Sequence, residues 1–330
     1  MENFTASRKA PPDEVLIIST SFKAIVIIAT IFGNFLVLQA FYKFPSLRTA
    51  SNSILVSLSV ADSLTVIPFI LHISFIALGL EENPQPTNFQ FLCKSSARFS
   101  LVTVSLIILH LTLISVERVI AVKFASSYHT IVPRTNRRAV IACLLVWLLA
   151  IALTLLFPLA LREDSNERSY ERLYKALHPC FQFRERTLPR NRQKMSTSTR
   201  GYLAFLVVSL IVIPMLTILC SYGYIFLVAR KHKRQIRDQT DSQGVSTFKS
   251  QLKGAYTLAT VVGVCLLSLL PLLMVTSYRF FGAARVIRQS WLKYIVYDVA
   301  LGLNACLNPL IYAWRHAKFK HAFRQLLMCN

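Results

Sequence analysis

Residues 15–40 read VLIISTSFKAIVIIATIFGNFLVLQA, an apolar run interrupted by Lys23 and Gln39. About 20 apolar residues in helical form cross the hydrocarbon core of a bilayer. The run is too long for the apolar part of a cleavable leader and reads instead as a signal-anchor helix behind a polar stretch, 1–14. Lys23, near its start, is expected to snorkel to the interface. Counting this run as 15–41, six more of spanning length follow, at 52–80, 93–122, 139–161, 202–229, 252–278 and 291–314. Hydrocarbon offers no hydrogen-bond partner, so each segment satisfies its own backbone as a helix. The expected fold class is an all-α integral membrane protein with seven transmembrane helices.

Composition agrees. Of 330 residues, 54% are hydrophobic and 16% charged, against about 25% charged in ordinary soluble domains. The net charge of +22 sits between the apolar runs, where loops meet water or anionic head groups. Membrane lipid is therefore the expected partner, and nucleic acid is not. After the seventh run, Arg315–Leu327 (RHAKFKHAFRQLL) puts Phe319, Phe323, Leu326 and Leu327 on one stripe and Lys318, Lys320 and Arg324 elsewhere. That pattern predicts an amphipathic helix on the membrane surface. Three regions result: an extracellular 1–14, a membrane domain 15–314, and a surface helix with a short cytoplasmic tail, 315–330.

Basic residues divide almost evenly between the two faces, because the long loop 162–201 carries many. Two cues place the N-terminus outside. Asn3-Phe4-Thr5 is a glycosylation sequon, used only on the outer side. The first loops also differ, with Lys43 and Arg48 on one side and Glu81 and Glu82 on the other. Of seven cysteines, Cys143, Cys220, Cys265 and Cys306 lie in helices as small apolar residues. Cys329 is a palmitoylation candidate. Cys93 and Cys180 face the oxidising side, as a disulfide or as two free thiols.

One landmark per helix appears in order: Gly33-Asn34; Leu58-Ser59-Val60-Ala61-Asp62; Cys93 with Glu117-Arg118-Val119; Trp147; Pro214 with Tyr222; Pro271; and Asn308-Pro309-Leu310-Ile311-Tyr312. On these residues the sequence resembles the rhodopsin-like (class A) G-protein-coupled receptors over nearly its whole length. The resemblance implies a cell-surface receptor in the plasma membrane. It would bind an extracellular ligand and activate a heterotrimeric G protein as helix six moves outward. Glu117, Arg118, Tyr222, Asn308, Pro309 and Tyr312 would carry coupling and activation. Asp62, Asn34, Asn304 and Asn308 would form the polar core. No cofactor is expected, although the family's sodium site falls at Asp62; Ile107 and Ala305 stand where that site has hydroxyls.

Other departures bear on mechanism. Gln251 replaces the helix-six acid that usually locks the arginine, which predicts ligand-independent activity. Ser268-Leu269-Leu270-Pro271 lacks the aromatic toggle, and Cys265 replaces a customary Phe. Ala125-Ser126 replaces the Pro-Leu ahead of Tyr128. The third cytoplasmic loop, with Thr240, Ser242, Ser246, Thr247 and Ser250, would have to serve for tail phosphorylation. Gly302 stands where opsins carry a Schiff-base lysine, and Ser100 where amine receptors carry Asp.

Pocket candidates are His72, Arg98, Ser100, Thr103, Tyr297 and Asp298. An ionisable residue inside the membrane is a functional candidate by default, but Asp298 could instead pair with Arg98 or Lys293. Peptide, nucleotide-like and lipid ligands all fit a basic outer vestibule. No catalytic or metal constellation is present, and His110 reads as an interhelical hydrogen-bonding residue. The alternatives are a non-signalling decoy or scaffold, and a transporter, for which only nine Gly and no internal repeat speak poorly.

Overall fold

In a computed structural model of the chain, the described residues are 13–77, 86–124, 137–156, 197–235, 256, 259–260, 262–271 and 290–328. They form α1 (Asp13–Lys43), α2 (Ala50–Leu64), α3 (Val66–Ala77), α4 (Pro86–Lys123), α5 (Arg137–Ile151), α6 (Thr197–Val207), α7 (Ile213–Gln235), α8 (Val262–Pro271), α9 (Ser290–Arg315) and α10 (Ala317–Leu327). Five of the resulting rods are long and apolar enough to cross a membrane, and α8 is a shorter apolar helix. Asn3, Cys180, Gln251 and Cys329 lie outside the described residues, as do 125–136 and the side chains of Cys93, Lys293 and Tyr297.

Prolines explain where the rods depart from uniform helix. The run 52–80, expected as one helix, breaks at Thr65. Pro68 has no N–H for the Leu64 carbonyl, and the chain tightens just before it. Both the N–H and the hydroxyl of Thr65 donate to the Asp62 carbonyl, at 3.1 and 2.6 Å. Ahead of Pro214, α6 passes into α7 through a widened turn, Val208–Val212, with the Ile213 N–H reaching the Val208 carbonyl. The wider turn keeps the proline ring off the preceding carbonyl.

Burial is inverted relative to a soluble protein. Ile25, Ile28, Leu145, Leu148, Leu216, Leu219 and Leu227 are exposed, while Asn34, Ser59, Asp62, His110, Asn304 and Asn308 are buried. Apolar side chains outside and polar ones inside is the arrangement that lipid as solvent dictates. The central helix is α4, which packs on α2, α3, α5 and α7. On the other side α9 packs most extensively on α1. They approach closely at Gly33, where an added Cβ would lie 2.9 Å from Cγ of Pro309.

The amphipathic segment does more than rest on lipid. Phe319, Ala322 and Phe323 are buried, where α10 packs against α1 and the turn Pro45–Leu47. Leu326 is half-buried and Leu327 exposed, so the expected stripe is divided between protein and solvent. His316, in extended backbone ahead of α10, packs edge-on against Phe319 at 5.1 Å. Burial, then the positive charges of Lys318 and Arg118, push its pKa down to about 4.

Two outcomes follow. Gly33→Ala drives a methyl into a rigid proline ring and should cost about 1–3 kcal/mol, read as a lower unfolding midpoint in detergent. Gly223→Ala, with nothing within 4 Å of the new carbon, should be neutral or mildly stabilising. His316 stays neutral when folded but takes a proton near pH 6.5 when unfolded. Stability should therefore fall as pH drops from about 6.5 to about 4, and thermal midpoints across that window should fall less steeply in His316→Gln.

Candidate functional site: a buried polar column

The polar side chains inside the bundle stack into three layers. At one end, Lys23 and Asp298 are both buried. Lys23 Nζ lies 2.5 Å from Asp298 Oδ2 and donates to Ser19 Oγ at 2.6 Å. Ser19 in turn donates to the same carboxylate oxygen at 2.8 Å. The ring ties α1 to α9. It also corrects the expectation that Lys23 snorkels: a buried carboxylate across the helix interface offers an ammonium a better partner than the interface does. The ion-pair partner of Asp298 among the described residues is thus Lys23; the side chain of Lys293, one of the two cations considered from sequence, lies outside them. His72 is buried on α3 and Arg98 half-buried on α4. Ser100 and Thr103 donate into their own helix, to the Ser96 and Ser100 carbonyls at 2.9 and 3.0 Å.

In the middle layer Asp62 has no exposed surface. Its Oδ2 accepts from Asn308 Nδ2 at 2.7 Å, and Asn308 Oδ1 accepts from Cys265 Sγ at 3.2 Å. One amide therefore joins α2, α9 and α8. Asn34 Nδ2 donates to the Thr30 and Ala305 carbonyls at 3.0 and 3.1 Å, bringing α1 to the same level. Asp62 Oδ1, Ser59 Oγ, Asn34 Oδ1 and both amide atoms of Asn304 are buried with no partner among the described residues. Such uncommitted oxygens suit a hard cation. The side chains of Ile107 and Ala305, both fully buried, carry no oxygen to add.

The layer at the other end repeats the first in chemistry. Arg118 Nε donates to Glu117 Oε2 at 2.5 Å, and Arg118 Nη2 also donates to Ser51 Oγ. Ser51 donates to Glu117 Oε1 at 2.8 Å. Cation, hydroxyl and carboxylate again close a ring, here between α4 and the first turn of α2, which Thr49 caps by accepting from the Asn52 N–H. Tyr222 lies on α7, its hydroxyl beside Ser115 and within the field of Arg118. The Tyr312 hydroxyl is buried and without a hydrogen-bond partner among the described residues, its ring 5.8 Å from Phe319. Pro309 seats against Gly33 rather than in the column.

A side branch braces α4. Trp147 Nε1 donates to Ser57 Oγ at 3.0 Å, Ser57 lies 2.8 Å from His110 Nε2, and His110 Nδ1 lies 2.7 Å from the Leu106 carbonyl. A carbonyl only accepts, so Nδ1 carries the proton and Nε2 accepts from Ser57. The interhelical role expected of His110 is the one it has. Sequence reasoning missed Ser19, Ser51 and Ser57. Each is one hydroxyl among many, and its partner lies far away along the chain.

The ring of Lys23, Ser19 and Asp298 makes a prediction. Lys23→Met leaves a buried carboxylate unpaired and should cost about 3–5 kcal/mol. The double variant Lys23→Met/Asp298→Leu replaces the pair with apolar groups and should recover most of that loss. Unfolding midpoints of the three proteins check it.

Comparison with known proteins agrees with this architecture. The model of the 7 transmembrane receptor (rhodopsin family) matches residues 33–312. The chain is 28% identical to adenosine receptor A2a of Cavia porcellus, across 92% of this chain and 71% of that protein. It is 29% identical to adenosine receptor A2b of Gallus gallus, across 92% and 86%. To the alpha-1A adrenergic receptor of Rattus norvegicus it is 26% identical, across 92% and 66%. Seven apolar segments in the right order, a polar interior and a family match over most of its length give one conclusion: the chain belongs to the rhodopsin-like family of seven-transmembrane, G-protein-coupled receptors, which are membrane receptors and not enzymes.

Proposed function

We propose that the chain takes an extracellular ligand at the outer end of the column and opens Arg118 to a heterotrimeric G protein as α8 moves outward. The observation that carries the reading is the pair of cation–hydroxyl–carboxylate rings at the two ends, with Asp62, Asn308 and Cys265 between them. A buried charged group is stable only while fully partnered. Each ring therefore defines a resting state that a competing partner can open: a ligand outside, a G protein inside. The N-terminus lies outside in this reading. It is supported by the sequon at Asn3 and by Cys93 and Cys180, which would form a disulfide on the oxidising face; Cys329 would carry a palmitoyl group on the other. A sodium ion held by Asp62, Ser59 and Asn304 would neutralise the central carboxylate.

Ligand charge follows from the outer ring. One oxygen of Asp298 already carries an ammonium and a hydroxyl, and Ser100 offers no charge. A cationic amine therefore finds no free carboxylate at these positions. His72, Arg98, Ser100, Thr103, Tyr297 and Asp298 together favour a polar ligand that is neutral or anionic. The similarity to proteins named adenosine receptors supports a nucleoside-like one.

The test is nucleotide exchange on purified G proteins by the receptor in lipid nanodiscs. The panel is adenosine, nucleotides, biogenic amines and acidic peptides. A nucleoside or nucleotide should raise exchange, and Arg118→Ala should abolish the rise. Exchange unchanged by receptor or panel, with solute flux in vesicles instead, would replace this reading with a transporter.

A further inference from the structure

Asn308 is held at both ends of its amide. Its nitrogen donates to Asp62 Oδ2 at 2.7 Å, and its oxygen receives the Cys265 S–H at 3.2 Å. With Asp62 ionised, the direction of this chain is set. Turning the amide over would set its oxygen against the Asp62 carboxylate, two acceptors facing each other. Asp62 thereby decides that the carbonyl end of Asn308 faces α8, and the thiol is the group on α8 that uses it. All three side chains are buried, Cys265 at 1% exposure, so neither end can exchange its bond for water. The thiol sits in the stretch between Val262 and Leu269, which are themselves core residues. Six residues on, Pro271 removes a backbone hydrogen bond, so the helix has a weak point on the far side of the contact.

We propose that Cys265 is a positioning residue: its thiol latches α8 to α9 through Asn308 and Asp62 and holds the receptor at rest. The latch rests on the G-protein reading above, and does in hydrogen bonding what an aromatic side chain would do by packing. An S–H is a weak donor. The bond is therefore one that a rearrangement at Asp62 or Asn308 breaks, and α8 responds to the charge state of the core through a single amide.

Two measurements test it. In the infrared difference spectrum of wild type minus Cys265→Ser, the Cys265 S–H stretch should stand at the low-frequency, hydrogen-bonded end of the thiol range. In an Asn308→Ala background it should move to the free-thiol end. A free-thiol band in the wild type overturns the latch whatever the receptor signals. Ligand-independent nucleotide exchange should rise by roughly threefold in Cys265→Val, the worth of one modest hydrogen bond. It should stay near wild type in Cys265→Ser, which keeps a donor. Equal exchange in Val, Ser and wild-type proteins, in a receptor whose exchange Arg118→Ala removes, overturns the latch alone. If Arg118→Ala changes nothing either, the G-protein reading falls, and the resting role of Cys265 with it.

Discussion

A carboxylate with no exposed surface has to be satisfied by its own protein, and Asp62 sets that demand at the centre of this bundle. In hydrocarbon no water is at hand, and a charged group at mid-membrane costs about 2.5–3.5 kcal/mol even on lenient scales. The answer here is an amide from α9, which then needs a donor for its own oxygen and takes one from α8. Each polar group recruits the next. From Asp62 the contacts draw in α2, α9 and α8, Asn34 brings α1 to the same level, and the helices that supply them have to converge.

The two ends of the column solve the same problem with the same parts. Lys23, Ser19 and Asp298 close one ring, and Arg118, Ser51 and Glu117 the other. In each, the serine hydroxyl both accepts from the cation and donates to the carboxylate, so a neutral group spreads one ion pair over three contacts. Such a ring is stable while closed and costly when broken.

The spans were legible in the sequence because length and hydropathy are properties of single segments. So were the landmark positions, which are read one helix at a time. The break at Thr65 was also there to be read, in Pro68, but the apolar run through it is so continuous that the single-helix expectation prevailed. Partner choice is another matter. Lys23 reads as an interfacial lysine from its own neighbourhood. Only the packing of α1 on α9 brings it to Asp298. Ser51 likewise has no local sign that it will meet Glu117, because that meeting depends on how α2 and α4 cross. The amphipathic stripe of α10 was visible, but not its division between protein and solvent, which depends on where the turn Pro45–Leu47 lies.

The notch at Gly33, filled by the ring of Pro309, has a mechanical corollary. A rigid ring seated in a helix surface resists both sliding and rotation, and α10 clamps the same two neighbours from below. Helices α1 and α9 are thereby keyed together at that depth like a tenon in its mortise. Away from this joint, the widened turn Val208–Val212 interrupts the rod of α6 and α7, and no comparable key between ring and notch holds those two helices to a neighbour among the described glycines.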